Sequence, residues 1–157
     1  MRKTITRAAG GLVLVVTALG IVFVTGMRAK SPPVVNAVRG LGRATRPLAI
    51  KSAGGSGASA SVVQHVGRTS GRSYDTPVVA VPTDDGFVVA LPYGSNTDWL
   101  KNVLANGAAT IVHDGNTYGV DRPEVVPLST VGHQFSPGDR RAHRLFGVDQ
   151  CLRVRRA

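Results

Sequence analysis

The hydrophobic and polar positions fall into three regimes along the chain. Residues 8–27, AAGGLVLVVTALGIVFVTGM, are 20 positions without a charge, the length of a bilayer-spanning helix. Arg2, Lys3 and Arg7 precede the run, and Arg28 and Lys30 follow it, so the pattern predicts an uncleaved N-terminal anchor spanning residues 1–27. Two rivals stay open. A cleaved signal peptide needs a shorter apolar region and a small-x-small site, which Val24-Thr25-Gly26 supplies poorly. Translation from Met27 would leave the anchor out and the protein soluble in the cytoplasm. Over residues 31–52 the period becomes helical. Val34, Val35, Val38 and Leu41 share a stripe, with Arg39, Arg43 and Arg46 off it, behind a Ser31-Pro32-Pro33 entry. This basic amphipathic helix either packs over the domain or lies on anionic lipid. Residues 53–61, AGGSGASAS, read as a flexible linker or loop.

From residue 62 to residue 157 the period is that of strands. SVVQHV, TPVVAVP and GFVVALP are β-branched runs cut by Gly, Pro and Asp, with a hairpin turn at Thr83-Asp84-Asp85-Gly86. Residues 96–106, NTDWLKNVLAN, interrupt them with a helix. Asn96 or Thr97 caps it, Trp99, Val103 and Leu104 form its apolar stripe, and Gly107 ends it. Strands resume at ATIVH, turn at Asp114-Gly115-Asn116 and continue through TYGVDRPEVVPL. A short helix over 139–147 and a closing CLRVRR strand complete the pattern. Short strands, tight hairpins and one inserted helix predict a mainly β fold, an antiparallel barrel.

Charge changes this picture. The net charge is +10, and the first 74 residues carry 11 Lys/Arg and no carboxylate, whereas the rest is nearly neutral. An anionic partner is implied for the first half: lipid headgroups, a phosphorylated cofactor or nucleic acid. Nucleic acid ranks low, because basic and aromatic residues do not interleave. One cysteine, Cys151, excludes an internal disulfide and reads as a packed thiol. Its lack of a partner suits a reducing compartment. The basic flanks, slightly richer on the C-terminal side of the run, favour a cytoplasmic domain. The four histidines form no metal-ligand spacing, and the single glutamate leaves paired-carboxylate catalysis poorly supplied.

Two motifs carry candidate chemistry. In GRTSGRSYDTPVV, residues 67–79, two glycines flank Arg68, Thr69 and Ser70, and Arg72 follows. Free backbone N–H groups, hydroxyls and guanidiniums there suit a phosphate; the alternative is an ordinary hairpin loop with surface arginines. In LPYGSNTDWLKN, residues 91–102, a strand leaves through Pro92 and Gly94 into a helix whose N-terminus suits an anion; the alternative is a plain connection with Trp99 as core anchor.

Together the stretch HVGRTSGRSYDTPVV…GFVVALPYG…DWLKNVLANG…ATIV resembles the deazaflavin (F420)-dependent nitroreductase family. The resemblance covers roughly residues 28–157 and is sharpest over 65–112. It implies a split β-barrel of the FMN-binding type, with coenzyme F420 as cofactor and hydride transfer to a quinone, nitroaromatic or similar acceptor. It also implies a homodimer as a common assembly. Carried over by position, Gly67, Arg68, Thr69, Ser70, Gly71 and Arg72 match the loop. Thr76, Pro77 and Val78 match the strand beside the deazaflavin ring. Ala90, Leu91, Pro92 and Tyr93 match the strand end, although Leu-Pro-Tyr-Gly stands where Ala-Ser-x-Gly is usual. Asp98, Trp99, Leu100, Lys101 and Asn102 match the helix start. No acid–base residue is implied, because the cofactor carries the hydride step. The family's tyrosine-rich C-terminal segment is replaced by HRLFGVDQCLRV, so the acceptor is left open. A membrane anchor would place the reductase beside quinones. The alternatives are a protein that sequesters F420 without turnover, and an FMN- or haem-binding oxidoreductase on the same barrel.

Overall fold

The computed structural model describes residues 17–157. A helix, α1, occupies 17–28, and α2 (Pro32–Ser52) follows a tight turn. Then come β1 (Ser61–Val66), β2 (Ser73–Val78), β3 (Ala80–Pro82), β4 (Gly86–Ala90), α3 (Asp98–Asn106), β5 (Ala108–His113) and β6 (Asn116–Pro127). The chain ends with α4 (Leu128–Val131), a single 3-10 turn, α5 (Pro137–Phe146) and β7 (Gln150–Arg156).

All seven strands join one antiparallel sheet in the order β2-β1-β5-β6-β7-β4-β3. Its closure follows from the sequence of TPVVAVP. The pattern predicts one strand there, but the structure divides it at Val79: β2 pairs with β1, and β3 pairs with β4. Those two segments are the opposite edges of the sheet, yet a single residue joins them. Consecutive Cα atoms are about 3.8 Å apart, so the sheet must curl until its edges meet. The mainly β, curled-barrel expectation is met.

Alternation along the strands produces two apolar layers. Val63, Phe87, Val89, Ile111, Val120, Leu152 and Val154 point into the barrel, which Leu100 and Val103 of α3 plug. On the outer face, Val88 and Cys151 pack against Val131 and Phe135 under the C-terminal helices. Strands β4 and β7 are covered on both sides, which explains why GFVVALP is a near-continuous apolar run. The Cys151 thiol is fully buried, and burial pushes its pKa up to about 11 from 9.0. At pH 8 its thiolate fraction is therefore about a hundredfold below that of an unfolded chain. Alkylation by iodoacetamide is expected to be slower by at least that factor in the native protein, and to recover in urea. Equal rates in both states would contradict this packing.

Other sequence expectations are refined. In β6 the register shifts between Asp121 and Glu124, where Arg122 adopts φ +49° and Pro123 offers no N–H to the ladder. Helix α5 starts two residues earlier than expected, because Ser136 accepts a hydrogen bond from the Asp139 amide and Pro137 opens the first turn. The segment 53–61 is a tied loop and not a flexible linker. Gly54 N–H bonds Ala60 O, and the β5–β6 turn is held by Gly115 N–H to Gly54 O and Gly57 N–H to Asp114 Oδ1, each at 2.7 Å.

Residues 1–16, which carry the first part of the expected anchor, lie outside the described residues. Among the described residues no helix is long and apolar enough to cross a membrane. What is described of the apolar run packs onto the domain at one end. Met27 is buried, the Phe23 ring meets Phe146 edge-on at 6.0 Å, and Lys30 Nζ pairs with Asp149 at 2.5 Å. At the other end Leu19, Ile21 and Val22 are exposed, and Leu19, Val22, Val34 and Val38 line an apolar groove between α1 and α2. The α2 stripe is only partly covered, for Val35 is buried while Leu41 is 67% exposed.

Candidate functional site: the β1–β2 loop and the start of α3

The loop after β1 turns back at once. Gly67 N–H bonds Arg72 O at 2.8 Å, and Gly71 N–H bonds Gly67 O at 2.9 Å. Gly71 takes φ +65°, where a side chain is strained. At Gly67 a Cβ would lie against Ser70 Oγ and 2.8 Å from Tyr74 Cε2, so a bare backbone is needed for the turn to close.

Arg68 fastens this loop to α3. Its backbone N–H and its Nη1 both donate to Asn102 Oδ1, at 3.2 and 2.8 Å, and its Nη2 reaches Asp98 Oδ1 at 3.2 Å. Asn102 is buried, and its Nδ2 sits 3.3 Å from His65 Nδ1 on β1. His65 Nε2 in turn lies 3.1 Å from Thr76 Oγ1 on β2. The network assigns the tautomer: with Asn102 Oδ1 accepting from Arg68, its amide donates to His65 Nδ1, and Nε2–H donates to Thr76. One polar chain thus joins loop, helix and two strands. Asn106 adds a second tie, donating to Val66 O at 2.8 Å.

These contacts sort the expected site residues. Arg68 and Asn102 are engaged with each other and hold the loop against α3. Leu91 and Leu100 are 2% and 0% exposed inside the barrel, within its apolar core. Ala90 packs toward the outer apolar layer, whereas Val78 and Trp99 pack against the barrel core. Pro77, Pro92 and Tyr93 are half-buried. Thr69, Ser70, Arg72, Asp98 and Lys101 are exposed, and Ser70 Oγ lies 3.1 Å from Tyr74 OH. Ala80 pairs with Val89, so Val78 and Ala90 each lie within two residues of that pair, while Thr76–Val78 themselves pair with β1. Arg39 of α2 reaches the Tyr93 carbonyl at 3.4 Å, so the N-terminal helix borders the same region.

Electrostatics leave the surface cationic. Neither Arg72 nor Lys101 has an ion-pair partner among the described residues. The N-terminus of α3 carries no side-chain cap, and Thr97 Oγ1 there is buried without a hydrogen bond. Unspent N–H groups, one orphaned hydroxyl and two unpaired cations fit an oxyanion.

No protein-family model matches the chain, and no curated protein matches it. Among solved structures there are likenesses. The chain is similar to an F420-H2 dependent reductase, FDR-A. The two share 12% identity over 60% of this chain and 92% of the reductase, with a TM-score of 0.46. It is likewise similar to HutZ, a haem storage protein from Vibrio cholerae, at 12% identity over 63% of this chain and 82% of that one, TM-score 0.45. A third is a general stress protein 26-related protein of the pyridoxinephosphate oxidase family from Clostridium acetobutylicum. There the identity is 10% over 71% and 80% of the two chains, with a TM-score of 0.47.

The sequence pattern does not point to His65, Asn106 or Arg39 as residues of this site. His65 sits in a strand pattern and reads as structural, and only the pairing of β1 with β2 and the seating of α3 bring it to Asn102. Cys151 and the remaining histidines lie elsewhere; His143 packs edge-on against Phe135 at 4.7 Å, and burial holds its pKa below the usual value.

Proposed function

We propose that the protein is an F420-dependent oxidoreductase whose β1–β2 loop and α3 start hold the coenzyme tail. The observation that carries this reading is the loop clamped to α3 by Arg68, which also holds the first-turn acid Asp98, with Arg72 and Lys101 without ion-pair partners among the described residues and the helix start without a side-chain cap. Thr69 and Ser70 would offer backbone and hydroxyl donors, Gly67 and Gly71 would shape the turn that presents them, their own N–H groups being bonded within it, and Asp98 would stay with Arg68. Thr76, Pro77 and Val78 with Pro92 and Tyr93 would border the ring, and half-buried Trp99 would exclude water from one end. When bound, the coenzyme supplies hydride chemistry. The chain's own residues bind, orient and shield. The acceptor we favour is a quinone or nitro compound met at the membrane. Support for that location is the absence of any carboxylate before Asp75 and the exposed apolar surface of α1 and α2.

Titration with oxidised F420, followed by its fluorescence, tests the reading, with flavin mononucleotide and haem as competitors. Saturable binding of F420 is expected, weakened about tenfold or more by Arg72→Ala and by Lys101→Ala, as for loss of one charge-assisted hydrogen bond. Oxidation of the reduced coenzyme by a quinone analogue would make it an enzyme; binding without turnover would make it a sequestering protein. Preference for flavin or haem would move it to another split-barrel activity, and no binding of any of the three would refute the site.

A further inference from the structure

Beside the outer apolar layer, α4, the turn after it and α5 border an open surface cleft of about 690 Å³, within the usual range for small-molecule sites. Leu128, Gly132 and Val148 give it an apolar wall, and Arg140, Arg144 and Asp149 line its polar side. The one acid is spent, since Asp149 pairs with Lys30 at 2.5 Å. The two arginines are not. They stand at i and i+4 on α5, where like charges destabilise a helix, and neither has an ion-pair partner among the described residues. Asp139, the nearest acid in sequence, is turned to the helix start, where Ser136 Oγ donates to its Oδ2 at 2.7 Å. The Arg144 side chain lies back along the helix, its Nε 3.4 Å from the Arg140 carbonyl, and both arginines line the cleft.

We propose that this cleft is a second ligand site, for an amphipathic oxyanion: a phosphate or carboxylate head on a small apolar body. The head lies between the two guanidiniums, whose planar forks match such oxygens and whose mutual repulsion it relieves. The body lies on Leu128 and Val148, giving up water-exposed apolar area. The site shares no residue with the β1–β2 loop or α3, so it stands whether or not F420 binds there.

The test titrates the full chain, kept in a nonionic detergent, with phenyl phosphate, while the amide signals of Gly132 and Val148 are followed by NMR. Inorganic phosphate lacks the apolar body, and phenol lacks the charge. Phenyl phosphate is expected to saturate these shifts with at least tenfold higher affinity than either fragment. Arg140→Gln combined with Arg144→Gln should weaken it at least tenfold, and the double lysine variant, which keeps charge but not the fork, by less. Arg72→Gln should leave it unchanged. The proposal is overturned if phenol or inorganic phosphate binds as tightly as phenyl phosphate, if both double variants bind like the parent, or if no saturable shift occurs.

Discussion

Gly86→Ala is expected to be the most damaging single-methyl change in the barrel. A Cβ at this position would fall inside the van der Waals envelope of Val154 O and 2.8 Å from Arg155 Cα. Both obstacles are backbone atoms of β7, so no rotamer change can relieve the clash. Gly86 opposes Arg155 at the start of the β4–β7 ladder, and Phe87, Val88 and Val89 directly after it are essentially fully buried. Pushing the strands apart would therefore open the barrel layer and the outer layer together. Overpacking of this kind costs about 3 kcal/mol or more, which for a domain of this size lowers Tm by roughly 6–12 °C. Gly119→Ala on β6 is the control, for a Cβ there meets only Ala157 Cβ at 3.8 Å, and little change is expected. Thermal unfolding of both variants decides the matter: equal Tm values would mean that β4 and β7 do not approach so closely.

Asn102→Ala should give the second largest effect, on stability and on the candidate site at once. The side chain is buried and makes three hydrogen bonds to two neighbours, accepting from two Arg68 donors and donating to His65. Its removal leaves the Arg68 amide and His65 Nδ1 without this partner in a low-dielectric setting, which costs about 2–4 kcal/mol. Denaturant unfolding measures that loss. Hydrogen exchange should show the Arg68 amide losing protection while β4 and β7 keep theirs. F420 binding should fall further than in Arg72→Ala, because the whole loop loses its hold on α3. Asn102→Asp keeps an acceptor for Arg68 but offers His65 no N–H, so it should retain more binding than the alanine variant. If the alanine variant binds the coenzyme normally, loop position is not set by this network.

Local patterns made most of the barrel legible. β-branched runs and turn residues mark β1, β4, β5 and β7 because each strand must bury one or both faces, and alternation is the record of that burial. Gly107 marks the end of α3, where it takes φ +70°. The division of TPVVAVP was not legible, because the same residues suit either ladder and only closure of the barrel makes the chain change partners at Val79. Helix α4, with four residues, is too short to carry a period. The tie of Gly54 and Gly57 to the Asp114–Gly115 turn was hidden because small residues read as flexible unless a distant partner fixes them.

For the site, the sequence by itself determined which groups are available: glycines where the backbone must turn, hydroxyls and cations around them, and a helix start nearby. These are properties of residue type and near spacing. Tertiary structure alone decided how those groups are used. Arg68 and Asn102, 34 positions apart, meet because α3 packs on β1, and that meeting turns an expected ligand contact into a clamp. Leu100 passes into the core for the same reason, since a half-apolar helix start shows one face to the barrel and only the packing says which, and Leu91 does so where the chain continues β4 along β7. The cationic cleft at α5 is likewise a product of assembly. Arg140 and Arg144 are legible as neighbours on a helix, but the pairing of Asp149 with Lys30, 119 positions away, is what leaves them without a countercharge.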